Sequence, residues 1–404
     1  MTTNNSQNKT NGLISKLAAI FAVIIASVLI YIISVVESEV LTIGLVAVAA
    51  VLILAYNKMP KVKQFVSAAI AREKTTMVIV GLLLALAAPL PLREEPYVIH
   101  ILVIAGVYII LTLGLNIQVG STGIPNLGFA AFFGVGAYAS SLLSINFELS
   151  FWVALILAAI IAALFGFLLG FPSLKTRSYH LALVSIAFGL VTYIFLNNLA
   201  FTGGPNGVNN IPAPELFGKS MFSTTKIFGQ NYPMQLNFYY LVLFFIVIMV
   251  IISHFFYNSR VGLNWNAVRE DEIAAKCSGI NVTNAKLMAF SIGAFYAGVA
   301  GSLYAHFIGY ISPQNFNMNI SLNMLGMVIL GGMDNILGAS LGAFLLAMAP
   351  EKFRALANFR VIASGAIIIL MLMFRPAGII PQKMRDYGKM VTKRLEARKD
   401  TNNG

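Results

Sequence analysis

The residues of this 404-residue chain that could move protons, bind metals or attack substrates are 15 carboxylates, four histidines and one cysteine. The carboxylates stand at Glu37, Glu39, Glu73, Glu94, Glu95, Glu148, Glu215, Glu270, Asp271, Glu272, Asp334, Glu351, Asp386, Glu396 and Asp400, none of them at the centre of an apolar run. Carriers driven by protons or sodium usually need such intramembrane ionisable groups, so self-powered transport is disfavoured. His100, His180, His254 and His306 sit singly near the ends of apolar runs without a Cys, Asp or Glu at ligand spacing, and read as interfacial polar anchors. No nucleophile, base and orienting group can be assembled. Cys277 has no intrachain partner and reads as a small helix residue. Residues 213–220, APELFGKS, satisfy a relaxed phosphate-loop pattern with Gly218, Lys219 and Ser220. The first glycine is missing, prolines precede it and no strand-to-helix context surrounds it. No metal, nucleotide or other cofactor is expected.

Polar character gathers instead in one excursion, residues 254–286, HFFYNSRVGLNWNAVREDEIAAKCSGINVTNAK, between two apolar runs each long enough to cross a bilayer. Within it, NWNAVREDEIAAKCSG reads as one short helix. Asn264 or Asn266 can cap its start, Glu270, Asp271 and Glu272 lie toward the positive end of its dipole, Lys276 lies near the negative end, and Gly279 can take the left-handed stop. Such a helix is either a docking element or a solvated connector.

The run REDEIAAKCSGIN, from Arg269 to Asn281, resembles the cytoplasmic loop of ABC-importer permeases, in which Glu-Ala-Ala followed by Gly forms the helix that fits a groove in the ATPase subunit. More narrowly it is similar to the branched-chain amino acid permeases, in particular the LivM-type subunit. The resemblance implies that Arg269, Glu270, Asp271, Glu272, Ala274, Ala275 and Gly279 couple to the ATPase. These permeases often carry Glu-Ala ahead of the Arg-Glu-Asp-Glu run, where this chain has Asn266-Ala267, so one acidic docking contact fewer is expected.

Hydrophobic residues are 58% of the chain and charged residues 10%, the composition of a polytopic membrane protein. In a soluble protein the net charge of +12 would suggest nucleic acid, but the basic residues sort by side of the membrane. With sides alternating along the apolar runs, one face receives all but Arg93, Lys219, Lys226, Lys352, Arg354 and Arg360 of the 27 Lys and Arg. The positive-inside rule makes that face cytoplasmic, with both termini and the central loop inside. Trp152 and Trp265 are expected at or outside the interfaces, where indole is favoured.

Three parts are expected: a two-helix leader with a basic linker over 1–75, a permease core over 76–382 and a basic cytoplasmic tail over 383–404. The leader spans are 13–36, read as a retained anchor, and 40–56. Further spans fall near 76–92, 98–118, 127–145, 151–171, 180–199, 287–310, 320–330 and 361–374. In all, an all-α polytopic membrane protein with about 10–12 membrane-embedded helical segments, some broken or re-entrant, is expected. Gly166 with Gly170, and Gly338 with Gly342, allow close helix contacts.

Between two spans, VGSTGIPNLGFAAFFGVGAY crowds Gly120, Gly123, Pro125 and Gly128 into a run that should otherwise be helical. It is either a plain turn or a break lining a cavity. The branched-chain permeases carry similar Gly-Leu-Asn-Ile and Asn/Asp-Leu-Gly runs, here residues 114–117 and 126–128, which favours the cavity. Asn116, Gly120, Ser121, Gly123 and Asn126 are the pathway candidates. Thr202, Gly203, Gly204, Pro205, Asn206 and Gly207 open a long outer loop, TGGPNG, that the family shares together with a following Ile-Pro, here Ile211-Pro212. It reads as a lid or a docking surface for an extracytoplasmic binding protein, or as a passive turn. Gly331-Gly332 in GGMDNILGASLG suggests two half-length helices, though two tilted spans also fit. The family usually has GGMG here, and Asp334 replaces the glycine.

Together the residues and the resemblance imply the permease subunit of an ABC importer for branched-chain amino acids in the bacterial cytoplasmic (inner) membrane. Its implied partners are ABC ATPase subunits, a second homologous permease subunit, an extracytoplasmic substrate-binding protein and membrane lipid, with no nucleic acid. A permease for urea or other amino acids, or a secondary transporter or facilitator, is the alternative.

Overall fold

The computed structural model describes residues 74–92, 95–173, 178–216, 218–227, 230–352 and 378–380, with isolated positions between 365 and 373. The expected leader spans, the tail, and all but isolated positions of the last span lie outside the described residues. Helices dominate: α1 (Lys74–Ala87), α2 (Pro96–Asn116), α3 (Phe129–Asn146), α4 (Phe151–Ser173), α5 (Ser178–Asn198), α6 (Met234–Tyr257), α7 (Arg260–Glu270), α8 (Glu272–Cys277), α9 (Val282–Ile308), α10 (Met318–Gly331) and α11 (Ile336–Lys352). Six of them, α2 to α6 and α9, are long and apolar enough to cross a membrane, which defines an all-α polytopic membrane protein. Strand structure among the described residues is confined to two short antiparallel hairpins, Glu215–Leu216 with Lys219–Ser220 and Thr225–Ile227 with Gln230–Tyr232.

The chain divides into two compact units. Of the described residues, the smaller contains those within 74–102, 224–240 and 348–352. There the hydroxyls of Tyr239 and Tyr240 donate to the oxygens of Ala85 and Leu86, which are among the last carbonyls of α1 and have no helical partner ahead of them. Leu92, Val98 and Ile99 form its small apolar cluster with Leu102 and Tyr239.

The larger unit is built on α3, α4 and α9. Small residues let their backbones meet: a Cβ added at Gly298 would lie 2.8 Å from Ala159 Cα, and one at Gly301 would lie 2.5 Å from the oxygen of Phe133. Gly166 meets Phe290 and Ala294 of α9 in the same way, and Gly170 meets Leu287. Without a hydrophobic drive between helices in lipid, such close contact is what dispersion can use. Ile160, Leu164, Phe167 and Leu168 of α4, and Leu183, Leu190 and Ile194 of α5, are exposed, as a lipid-facing surface requires.

Helices α10 and α11 have 14 and 17 residues. At 1.5 Å per residue, α10 is about 21 Å long, short of a hydrocarbon core of about 30 Å. They pack on each other through Gly331, Gly338 and Gly342, and against Tyr108 and Ile109 of α2. The amides of Ile379 and Ile380 then donate to the oxygens of Leu330 and Gly331, satisfying the end of α10.

Candidate functional site

The segment expected to be one helix over NWNAVREDEIAAKCSG is two. Ser259, in extended backbone, caps α7 by accepting from the amides of Val261 and Gly262, in place of the expected Asn264 or Asn266. The break falls at Asp271, whose backbone is extended at φ −157° and ψ 115° and whose carboxylate accepts from the amides of Ile273 (2.7 Å) and Ala274 (3.0 Å). Asp competes for neighbouring amides better inside a cap than inside a helix, so it ends α7 and starts α8. Glu270 therefore closes α7, and Glu272 alone of the three acids lies in a first turn. Gly279 takes the expected left-handed conformation, at φ +80°. There it turns the chain into Asn281, which caps α9 by accepting from Asn284.

α8 presents one side outward and one inward. Ile273 is 77% exposed, whereas Ala275 is buried. Glu272 pairs with Lys286 of α9 at 2.5 Å; the lysine side chain is 7% exposed and the glutamate 49%. Trp265, expected at an interface, is instead fully buried: its Nε1 donates to the oxygen of Ala285, and its ring packs beside Phe256. The amphipathic pattern of α7 turns the indole inward because the first turn of α9 offers it a backbone acceptor.

From the end of α7, Arg269 reaches the broken end of α2. Residues Ile117–Ser121 continue α2 as a π turn, a wide helical geometry that frees carbonyls from their usual partners. Arg269 Nη1 donates to the freed oxygen of Gly120 at 2.6 Å. A Cβ added at Gly123, itself at φ +68°, would lie 3.1 Å from Arg269 Cγ, so the arginine stem lies over this glycine. Facing them is Asp334 in the turn between α10 and α11. Its Oδ1 accepts from Ser121 Oγ at 2.6 Å, its Oδ2 lies 4.0 Å from Arg269 Nη1, and its amide donates to Asn116 Oδ1 at 2.8 Å. Asn116 Nδ2 donates to the hydroxyl of Tyr257 at the end of α6.

Asn126 belongs to a neighbouring layer. Its Nδ2 donates to Gln118 Oε1 at 2.7 Å, and its Oδ1 accepts from the amide of Gly128. Gln118 Nε2 in turn donates to the oxygen of Phe290 in α9. Of the five pathway candidates, Asn116, Gly120, Ser121 and Gly123 thus surround Arg269 and Asp334, and Asn126 joins them through Gln118. All but Gly123 are buried.

The TGGPNG group lies elsewhere. Gln118 of the π turn bonds to Phe290 in the first half of α9, whereas Ile311, which pairs with Val208, follows its Ile308 end. The rise from Phe290 to Ile308 is about 27 Å. Thr202 Oγ1 donates to the oxygens of Leu196 and Leu199, closing α5, and Gly203, Gly204 and Gly207 all have positive φ. Pro205 and Asn206 complete the short 3-10 turn Gly204–Asn206. His306, expected as an interfacial anchor, is fully buried: its Nδ1 donates to the oxygen of Pro212 at 2.6 Å, and its Nε2 accepts from Ser140 Oγ at 2.9 Å. Because a carbonyl only accepts, Nδ1 carries a proton, and in the neutral ring Nε2 is then the acceptor for Ser140.

Sequence reasoning missed Gln118, Tyr257, Trp265 and His306 as structural centres, and treated Asp334 as a local turn residue. Only Asp334 carried a signal, as a carboxylate in a glycine position.

These features define a polytopic integral membrane protein: among the described residues, six helices long and apolar enough to span, two short helices meeting at a polar turn, and a capped loop helix joined to the end of α2. The chain matches the model of the family described as branched-chain amino acid transport system / permease component over residues 97–375, and it belongs to that family. It is of LivM type, being 38% identical over 312 residues to the high-affinity branched-chain amino acid transport system permease protein LivM of Salmonella typhimurium and of Escherichia coli, with 74% of this chain and 73% of each relative covered. The permease protein LivH of Salmonella typhimurium is 25% identical over 68% of this chain and 91% of its own length. No solved structure matches the chain.

Proposed function

We propose that this chain is the transmembrane permease subunit of an ABC importer that carries leucine, isoleucine and valine inward across the bacterial cytoplasmic membrane, driven by ATP hydrolysis on separate subunits. In this reading both termini and the 258–281 loop are cytoplasmic, α8 docks in the ATPase, and a LivH-type permease completes the channel. Thr202, Gly203, Gly204, Pro205, Asn206 and Gly207 face the extracytoplasmic binding protein. Asn116, Gly120, Ser121, Gly123 and Asn126 border the pathway, where backbone dipoles and amides meet a zwitterion beside the Arg269–Asp334 pair. The chain then divides into a leader over 1–75, a core over 76–382 and a tail over 383–404. It contributes no ATPase chemistry and holds no cofactor.

The observation that supports this best is the continuity from exposed α8 through Arg269 to the broken end of α2. A loop helix that served only as a connector would have no need of such a bond.

Reconstitution tests the reading. The chain co-expressed with a LivH-type permease, the ATPases and the binding protein should take up radiolabelled leucine only with ATP inside. Gly279→Pro should abolish uptake while the chain stays folded in the membrane, because proline cannot reach φ +80°. Normal uptake by this variant, or uptake without ATP, would reject it.

A further inference from the structure

We propose that Asp334 and Arg269 form a clip that holds the broken end of α2 in its resting geometry until force on α8 releases it, which makes Asp334 a positioning residue for coupling. This rests on the docking role given to α8 above.

Three segments distant in sequence converge here. Asp334 engages both ends of the π turn, Asn116 through its amide and Ser121 through its carboxylate, while Arg269 holds the intervening Gly120 oxygen. The Asp334 side chain is fully buried, and a buried carboxylate needs cationic company. It therefore favours the guanidinium at the break over any displaced position. Arg269 lies two residues before the Asp271 cap that begins α8, so a displacement of α8 pulls on the guanidinium through that short link. Its side chain is still 25% exposed, which leaves it an exit.

Asp334 also sits at φ +58°, in the left-handed region that glycine enters most freely and that Asp tolerates as a single residue with its short side chain hydrogen-bonded. Gly120 completes the device: a Cβ there would collide with the amide of Asp334 and with Asn116, so the α10–α11 turn is pressed directly on the π turn. A π turn can shift register by local rearrangement, which makes it a suitable two-state element.

The test uses the whole complex in proteoliposomes and compares ATP hydrolysis without and with leucine-loaded binding protein. Asp334→Gly removes the carboxylate and relieves the backbone. It should raise basal hydrolysis about fivefold, at the low end of typical coupling free energies, and lower the stimulated-to-basal ratio correspondingly. Asp334→Asn, which keeps a partner for Ser121 but no charge, should fall between. Arg269→Ala should act in the same direction, and the double variant should do no more than the stronger single one. Hydrogen exchange should quicken at residues 117–123 while α9 stays protected; measured on whatever fraction assembles, this covers a loss of yield. An unchanged ratio in an Asp334→Gly complex that retains its ATPase overturns the clip and leaves docking standing, as do additive effects. A wild-type chain that retains no ATPase overturns both.

Discussion

The indole Nε1 of Trp265 and the backbone oxygen of Ala285 lie 2.9 Å apart, joined by a bond that seats α7 on the first turn of α9. Since Trp265 is fully buried, Trp265→Ala should cost about 3–5 kcal/mol, as large-to-small changes at packed aromatics do. Trp265→Phe loses less volume and leaves only a carbonyl underserved, so its cost should be nearer 1 kcal/mol. Thermal unfolding of the purified complex in detergent measures both, and equal losses would reject the packing account.

Glu272 and Lys286 form an asymmetric pair, the lysine nearly buried and the glutamate half exposed. Glu272→Gln should therefore be worse than Lys286→Met, because the first strands a buried ammonium while the second removes the charge and keeps an apolar stem. Partial exposure limits the penalty of Glu272→Gln to about 1–2 kcal/mol. A double-mutant cycle on unfolding temperature checks the order, and the double variant should recover most of that loss.

The glycines of TGGPNG should differ in their tolerance of a methyl group. At Gly207 a Cβ would run into the oxygen of Ile311, so Gly207→Ala should break the Val208–Ile311 pairing. At Gly204 the nearest atom to an added Cβ is 3.4 Å away, and the cost should be the left-handed backbone alone, about 1–2 kcal/mol. Limited proteolysis of the 199–233 stretch distinguishes them: Gly207→Ala should be cut faster than Gly204→Ala.

His306→Phe should loosen the same stretch from the other side. It removes the donor to Pro212, while Ser140 keeps Ser302 as a partner, so the loss should be about 1 kcal/mol, the worth of the bond to Pro212. A cysteine at Asn210 in a Cys277→Ser background should react faster with an impermeant thiol reagent in this variant than in the parent. Equal rates would show that the histidine does not hold the loop.

The proposed orientation yields a further result. In intact cells and the same Cys277→Ser background, a cysteine at Asn206 should label with the impermeant reagent and one at Gly279 should not. The reverse pattern would invert the topology.

The sequence by itself determined the membrane class, the family, and the position of several spanning helices among the described residues, whereas the span expected at 76–92 is the 14-residue α1. Apolar runs of about 20 residues admit few structures in lipid, because every backbone group must be paired within the segment. The expected spans at 151–171 and 180–199 accordingly match α4 and α5 to within a few residues. Local chemistry also fixed the left-handed turn at Gly279, which only glycine enters without strain. What tertiary structure decided was the destination of polar side chains that the linear order leaves open. Asp271 became a cap and split one expected helix into two, since two nearby amides were worth more to it than a helical backbone. Trp265 and His306 turned from interface residues into buried centres because carbonyls at 285 and 212 were brought to meet them. Arg269 met Gly120 across 149 residues of sequence, a pairing with no local signature, because helix packing and not the pattern of either segment sets that distance.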